Sequence, residues 1–158
     1  MDFILTEDSK KYERGFRELL SERGYDCKSG ICVQLKESTE REITISYEKE
    51  QAVITAPETA FLYRGLMSLV MQLEAHSTEK PYAKREEIWL DHNGCMVDSS
   101  RNCVMSVEAV KAWLRMQASV GMNMLMLYTE DTYEVPEYPY FGALRGRYTA
   151  EEFKELDD

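Results

Sequence analysis

Between Gly94 and Tyr128 the sequence follows an order of elements that few folds accommodate. The run Gly94-Cys95-Met96-Val97 ends on Asp98-Ser99-Ser100-Arg101, a helical pattern runs from Ser106 to Val120, and a second apolar run, Met122 to Tyr128, follows directly. Ser106 is a favourable N-cap, Glu108 lies where a helix N-terminus attracts negative charge, and Gly121 is a natural stop. Val107, Val110, Leu114 and Ala118 recur at the spacing of one inward helix face. The second run is too continuously apolar for a strand with one wet face. Strand, helix and buried strand in that order make a βαβ unit, which demands a parallel sheet covered by helices.

The residues before this unit have a different character. Tyr12, Phe16, Leu19 and Leu20 fall at helical spacing after Ser9, read as the N-cap, and Gly24 closes that helix. In ICVQLKE, Ile31, Val33 and Leu35 alternate with polar residues. Ile43, Ile45 and Tyr47 do the same up to the charged turn Glu48-Lys49-Glu50, after which Ala52, Ile54 and Ala56 resume. That is a hairpin with one face on a core. The run from Thr59 to about Glu74 is apolar on most sides and reads as a helix buried against the sheet. Residues 76 to 87, HSTEKPYAKREE, are polar and carry a proline, so they read as a linker. The expected organisation is a small α+β domain, an antiparallel sheet with helices, over residues 1–85 including the linker, and an α/β unit over residues 86–158.

Composition removes several classes of function. With 19 Lys and Arg against 29 Asp and Glu, the net charge of -10 repels a phosphate backbone, so nucleic acid is not an expected partner. No run approaches the length of a membrane span and the N-terminus lacks the pattern of an export signal, so no membrane partner is expected and a cytoplasmic location is. In that compartment Cys27, Cys32, Cys95 and Cys103 are expected as thiols. His76 and His92 are the only histidines and no Cys-x-x-Cys occurs, so neither a metal nor another cofactor is expected.

At the βαβ unit the residues carry a likeness. GCMVDSSRN, followed by SVEAVKAWLRMQASVGMNMLMLYTED, resembles the opening strand, helix and second strand of the catalytic barrel in glycoside hydrolase family 20, the β-N-acetylhexosaminidases. The family pattern at that strand is Arg-Gly, two apolar residues, Leu-Asp, two small residues and Arg. Gly94, Asp98 and Arg101 match it in spacing, Val97 stands for the Leu, and Asn93 replaces the first Arg. Upstream, EITISYEKEQAVITAPETAFLYRGLMSLVMQL resembles the last hairpin and helix of the small domain that precedes the barrel, including Ala60, Phe61, Gly65 and Leu66. The likeness spans roughly residues 40 to 158.

The resemblance implies that residues 86–158 open a (β/α)8 TIM barrel, a fold of about 250 residues, so the chain is expected to be an N-terminal fragment. It further implies removal of terminal GlcNAc or GalNAc from glycans by retaining hydrolysis in which the substrate's acetamido group is the nucleophile. The family's catalytic Asp-Glu pair follows a His-x-Gly-Gly phrase on the fourth barrel strand. No such phrase occurs here, so the fragment alone is expected to be inactive. Arg101 corresponds to the residue that binds hydroxyls of the terminal sugar. The bland alternative is a surface salt bridge to Asp98, which is either a ligand or a structural partner. Glu130-Asp131 falls at the end of the second strand, not the fourth, and is read as capping the loop through backbone hydrogen bonds.

The connection from Thr129 to Tyr148 is long for a compact domain and holds Tyr133, Tyr138, Tyr140, Phe141 and Tyr148, whose rings suit either sugar faces or packing. A stand-alone α+β protein-interaction module is the competing reading. With an apolar strand edge left unpaired, the fragment is expected to form a homo-oligomer.

Overall fold

The computed structural model describes residues 1–76, 79–101 and 103–157. The chain divides into two compact units, Met1–His92 with Gln117–Asn123, and Asn93–Met116 with Met124–Asp158.

The first unit is built on a five-stranded sheet in the order β1-β2-β4-β3-β5. Strand β1 (Phe3–Leu5) runs parallel to β2 (Ile31–Glu37), and β2 parallel to β4 (Gln51–Ala56). β3 (Glu42–Glu48) is antiparallel both to β4 and to β5 (Tyr82–Glu87). The sheet is therefore mixed, which corrects the antiparallel expectation. Helix α1 (Glu13–Ser21) lies between β1 and β2 and returns the chain to the end from which it set out, so these two strands must run the same way. The alternation read from the sequence does face a core. Ile31, Val33, Leu35, Ile43, Ile45, Tyr47, Ala52, Ile54 and Ala56 are all buried, with Phe16 and Leu20 of α1 and Leu62, Leu66, Leu69 and Val70 of α2 (Thr59–Ala75). Gly65 lets α2 come close, since a Cβ there would stand 2.6 Å from the Ile54 side chain and 3.0 Å from that of Ile43.

Three local details depart from expectation. Ser9 caps no helix: it lies in a 3-10 turn, Glu7–Tyr12, and is fully buried. Its hydroxyl donates to the Leu35 carbonyl at 3.1 Å and accepts from the Leu35 amide at 2.9 Å. β1 stops pairing at Leu5↔Val33, so this one side chain continues the ladder where backbone is lacking. The hairpin between β3 and β4 turns on Lys49 and Glu50 with φ of 50° and 61°, a left-handed pair usually given to Asn-Gly. Finally, the second half of the expected linker is strand β5, hydrogen-bonded to β3 from Tyr82↔Tyr47 to Glu87↔Glu42. Its composition hid it, because an edge strand can hold its place through charge: Arg85 pairs with Glu42, Glu86 with Arg64, and Lys84 with Glu86 at 3.1 Å. Ser77 and Thr78 of that stretch lie outside the described residues.

In the second unit β6 (Gly94–Asp98) and β7 (Met124–Tyr128) pair in parallel, from Gly94↔Met124 to Asp98↔Tyr128. They are joined through α3 (Val107–Ser119), whose first turn is capped by the Ser106 hydroxyl accepting from the Ala109 amide at 3.3 Å. A Cβ on Gly94 would run into the Met124 carbonyl, so glycine is what permits the strands this spacing. Val110 and Leu114 of α3, Leu125 and Leu127 of β7, and Phe153, Leu156 and Asp157 of α4 (Ala150–Asp157) line one cleft. The expectation that β7 is buried on both faces is corrected. Met96 is 63% and Met126 51% exposed, and Met124 and Tyr128 are also open, so only the Leu125–Leu127 face is covered. α4 starts at a reciprocal capping box, with the Thr149 amide donating to Glu152 at 2.8 Å and the Glu152 amide to Thr149 Oγ1 at 3.1 Å.

Candidate functional site

Parallel pairing brings the C-terminal ends of β6 and β7 side by side, Asp98 opposite Tyr128. The residues just beyond each end are therefore neighbours. Asp98 organises the first turn: its Oδ1 accepts from the Ser100 amide at 2.9 Å, the Ser100 hydroxyl at 2.6 Å and the Arg101 amide at 3.2 Å. Its Oδ2 accepts from Arg101 Nη1 at 2.8 Å. The Ser100 hydroxyl and amide first, then Arg101, hold the Asp98 carboxyl well below the usual carboxylate range.

Arg101 reaches across to the other strand end. Its Nη2 donates to Glu130 Oε1 at 3.0 Å, and the Tyr128 hydroxyl donates to the same oxygen at 3.0 Å. The guanidinium carbon stands 5.3 Å from the centre of the Tyr128 ring, within the range of a cation–π contact. Asp98, and after it Glu130, favour the charged guanidinium and push its pKa up. Of the residues singled out from the sequence, Asp98 and Arg101 thus share one turn, and Glu130 joins them. Asp131 does not, and instead accepts from Arg145 at 3.5 Å. The expectation that Glu130-Asp131 caps the loop by bonding backbone is corrected, since these contacts are with side chains. Tyr128 and Glu130 were missed as partners of Arg101. The signal was available, because a βαβ unit implies that the two strand ends adjoin.

The long connection after β7 is fastened to the Asp98 turn. Thr132 Oγ1 donates to the Ser99 carbonyl at 3.0 Å and Arg145 donates to the Ser100 carbonyl. The connection closes on itself where Tyr133 bridges Tyr148, Tyr133 stacks edge-on against Phe141 at 5.2 Å, and the buried Tyr148 donates to the Met105 carbonyl at 2.6 Å. Tyr133, Phe141 and Tyr148 are therefore packing residues. Tyr138 and Tyr140 are exposed, with Tyr140 at 90%. Among the described residues no cluster of three or more His, Cys, Asp or Glu is arranged to hold a metal.

The cluster offers donors from a fixed guanidinium, carboxylate acceptors and one aromatic face. Such a set suits a neutral, polyhydroxylated ligand. The sequence matches no family model and no curated protein. The fold, in contrast, is shared with solved structures of family 20 glycoside hydrolases. For a β-N-acetylhexosaminidase from Streptomyces coelicolor A3(2) the TM-score is 0.68 at 20% identity, over 99% of this chain and 38% of that one. For an inactive variant of an exo-β-N-acetylglucosaminidase from Vibrio harveyi it is 0.75 at 16% identity, over 98% and 30%. For a chitobiase from Flavobacterium johnsoniae it is 0.70 at 18% identity, over 98% and 28%. The chain thus spans about a third of the length of the structures it matches.

Proposed function

We propose that this chain is the N-terminal portion of a glycoside hydrolase that releases terminal N-acetylhexosamine, GlcNAc or GalNAc, from glycans. One observation carries the reading: a hexosaminidase fold covers 98–99% of the chain, and at the end of its β6 strand stands a polar cluster suited to sugar hydroxyls. In this reading β6, α3 and β7 open a TIM barrel, whose functional residues gather at the C-terminal ends of strands. Arg101 donates to hydroxyls of the terminal sugar, while Asp98, ionised and tied to the turn, fixes one end of the guanidinium. The bond-breaking chemistry is assigned elsewhere in the whole protein, to an Asp-Glu pair that orients the substrate's acetamido group and protonates the leaving oxygen. The protein is assigned to the cytoplasm, where its thiols stay reduced.

The experiment is an assay of the full-length protein and of the 158-residue polypeptide on chromogenic N-acetylglucosaminide and N-acetylgalactosaminide. Turnover by the full-length protein and none by the polypeptide is the expected result. A full-length protein without turnover on either substrate overturns the hydrolase reading. Turnover by the polypeptide that is lost on Glu130→Gln moves the catalytic acid to β7.

A further inference from the structure

We propose that Trp89 and Leu90 form the docking point for the last helix of the barrel, a segment of the polypeptide beyond residue 158. The inference rests on the hydrolase reading, through its assignment of β6 as the strand that opens a TIM barrel. Both side chains face water in the first unit, Trp89 at 80% and Leu90 at 64% exposure. One exposed apolar residue is ordinary, but an adjacent Trp and Leu standing out from a fixed backbone mark a surface to be covered. The backbone here is fixed on either side of the pair. Ile88, just before it, is buried, and its amide donates to the Arg41 carbonyl at 3.0 Å. Asp91, just after it, accepts from the Arg41 guanidinium at 2.8 Å through its carboxylate and from the Asn123 side chain at 2.6 Å through its carbonyl. Val120, in the turn that leads to Asn123, is a third exposed apolar side chain. A pair presented in this way loses little conformational freedom when something settles on it.

Barrel geometry names the occupant. A ring of parallel strands closes only when the last lies beside the first. β6 has β7 on one edge and, among the described residues, no strand on the other, so that edge is the one the last strand takes. The helix that follows a barrel strand runs back along the outside of the ring, and the last helix therefore ends near the N-terminal end of β6. Only a few residues of chain separate Leu90 from Gly94, where β6 begins. The chemistry matches as well. The final turn of a helix leaves carbonyls without partners, and the Trp89 ring carries an indole N–H, which only donates, at the rim of a large apolar surface. Length also allows it, because the chain spans about a third of the hexosaminidase structures it matches, and a barrel takes about 250 residues.

The test places photoreactive benzoylphenylalanine at position 89 of the full-length protein and maps the adducts by mass spectrometry after irradiation. The expected product is an intramolecular adduct to the last barrel helix. An adduct to any other part of the chain, one that joins two copies or captures another protein, or no adduct at all overturns the docking role. A second measurement needs no bulky probe. Trp89→Ala should lower the thermal unfolding midpoint of the full-length protein by about 2–4 °C, whereas Met71→Ala, at a side chain also exposed in the first unit, should move it by less than about 1 °C. A Trp89→Ala midpoint within about 1 °C of wild type likewise overturns the docking role. Turnover of a chromogenic N-acetylglucosaminide by the wild type tests the hydrolase reading separately. Without turnover that reading falls, and the adduct still decides the docking role, since closing a barrel does not depend on the bond it cleaves. A reading frame that closes at residue 158 overturns both.

Discussion

Ser9→Ala should be among the most damaging single-atom deletions in the first unit. Two buried backbone groups depend on that hydroxyl: the Leu35 carbonyl, which accepts from it at 3.1 Å, and the Leu35 amide, which donates to it at 2.9 Å. Alanine supplies neither partner, and Ser9 is fully buried, so water does not stand in without rearrangement. Leaving a buried backbone group unpaired costs about 1–3 kcal/mol, which makes the pair about 2–6 kcal/mol. That is a large part of the about 5–15 kcal/mol that holds a domain folded. An ordinary N-cap serine would behave differently, losing about 1 kcal/mol to Ala and only a few tenths to Gly. Glycine therefore separates the two roles, and Ser9→Gly should cost at least as much as Ser9→Ala. Equilibrium urea unfolding followed by circular dichroism measures both. Hydrogen exchange at the Leu35 amide gives the local readout and should accelerate in each variant. Values within about 0.5 kcal/mol of wild type, or a glycine variant clearly milder than alanine, would refute the ladder role.

Other expectations follow from the same geometry. Lys49→Asn with Glu50→Gly places residues tolerant of positive φ at the β3–β4 turn and should stabilise the protein by about 1 kcal/mol in urea titrations, whereas an unchanged or lower midpoint would contradict the left-handed pair. The Asp98 carboxyl, held below its ordinary 3.8, favours the folded state at every pH above that value. This contribution is lost as pH falls through the acid range, so wild type should lose stability more steeply below about pH 4 than Asp98→Asn, and parallel profiles would count against it. The 158-residue polypeptide should form dimers or larger species at micromolar concentration, because among the described residues its β6–β7 sheet has outer edges without a neighbouring strand and an open face carrying Met96 and Met126. A monomer in sedimentation velocity removes that expectation.

What could be read from the sequence was whatever announces itself through a period or a short-range pair. Alternation marked β2, β3 and β4, the apolar run marked α2, and the reciprocal pair Thr149 and Glu152 marked the start of α4. Asp98 and Arg101 stood out because they end an apolar run before a helix. What escaped were features whose cause lies far along the chain. β1 has three residues, too few for an alternation, and β5 keeps its place by hydrogen bonds and ion pairs instead of apolar side chains. Ser9 serves a strand 26 positions away, although its local setting resembles a cap. Glu130 meets Arg101 across 29 positions, a contact that exists only once β6 and β7 are in register. The open face of β7 was hidden for another reason: an apolar run reports hydrophobicity on both sides of a strand but not what covers each side.

Strand β5 also bears on how such a unit travels between proteins. A sheet that ends in an apolar strand invites one more, and any gene fusion that exposes it creates a sticky product. Here the strand at one of the two edges presents Lys84, Arg85 and Glu87 to water, and a newcomer aligning along it would have to strip those charges of solvent. Growth of the sheet stops there by chemistry, with no need for a neighbouring domain to block it. On its β5 side the first unit is thereby closed to a further strand, whatever follows it in the chain.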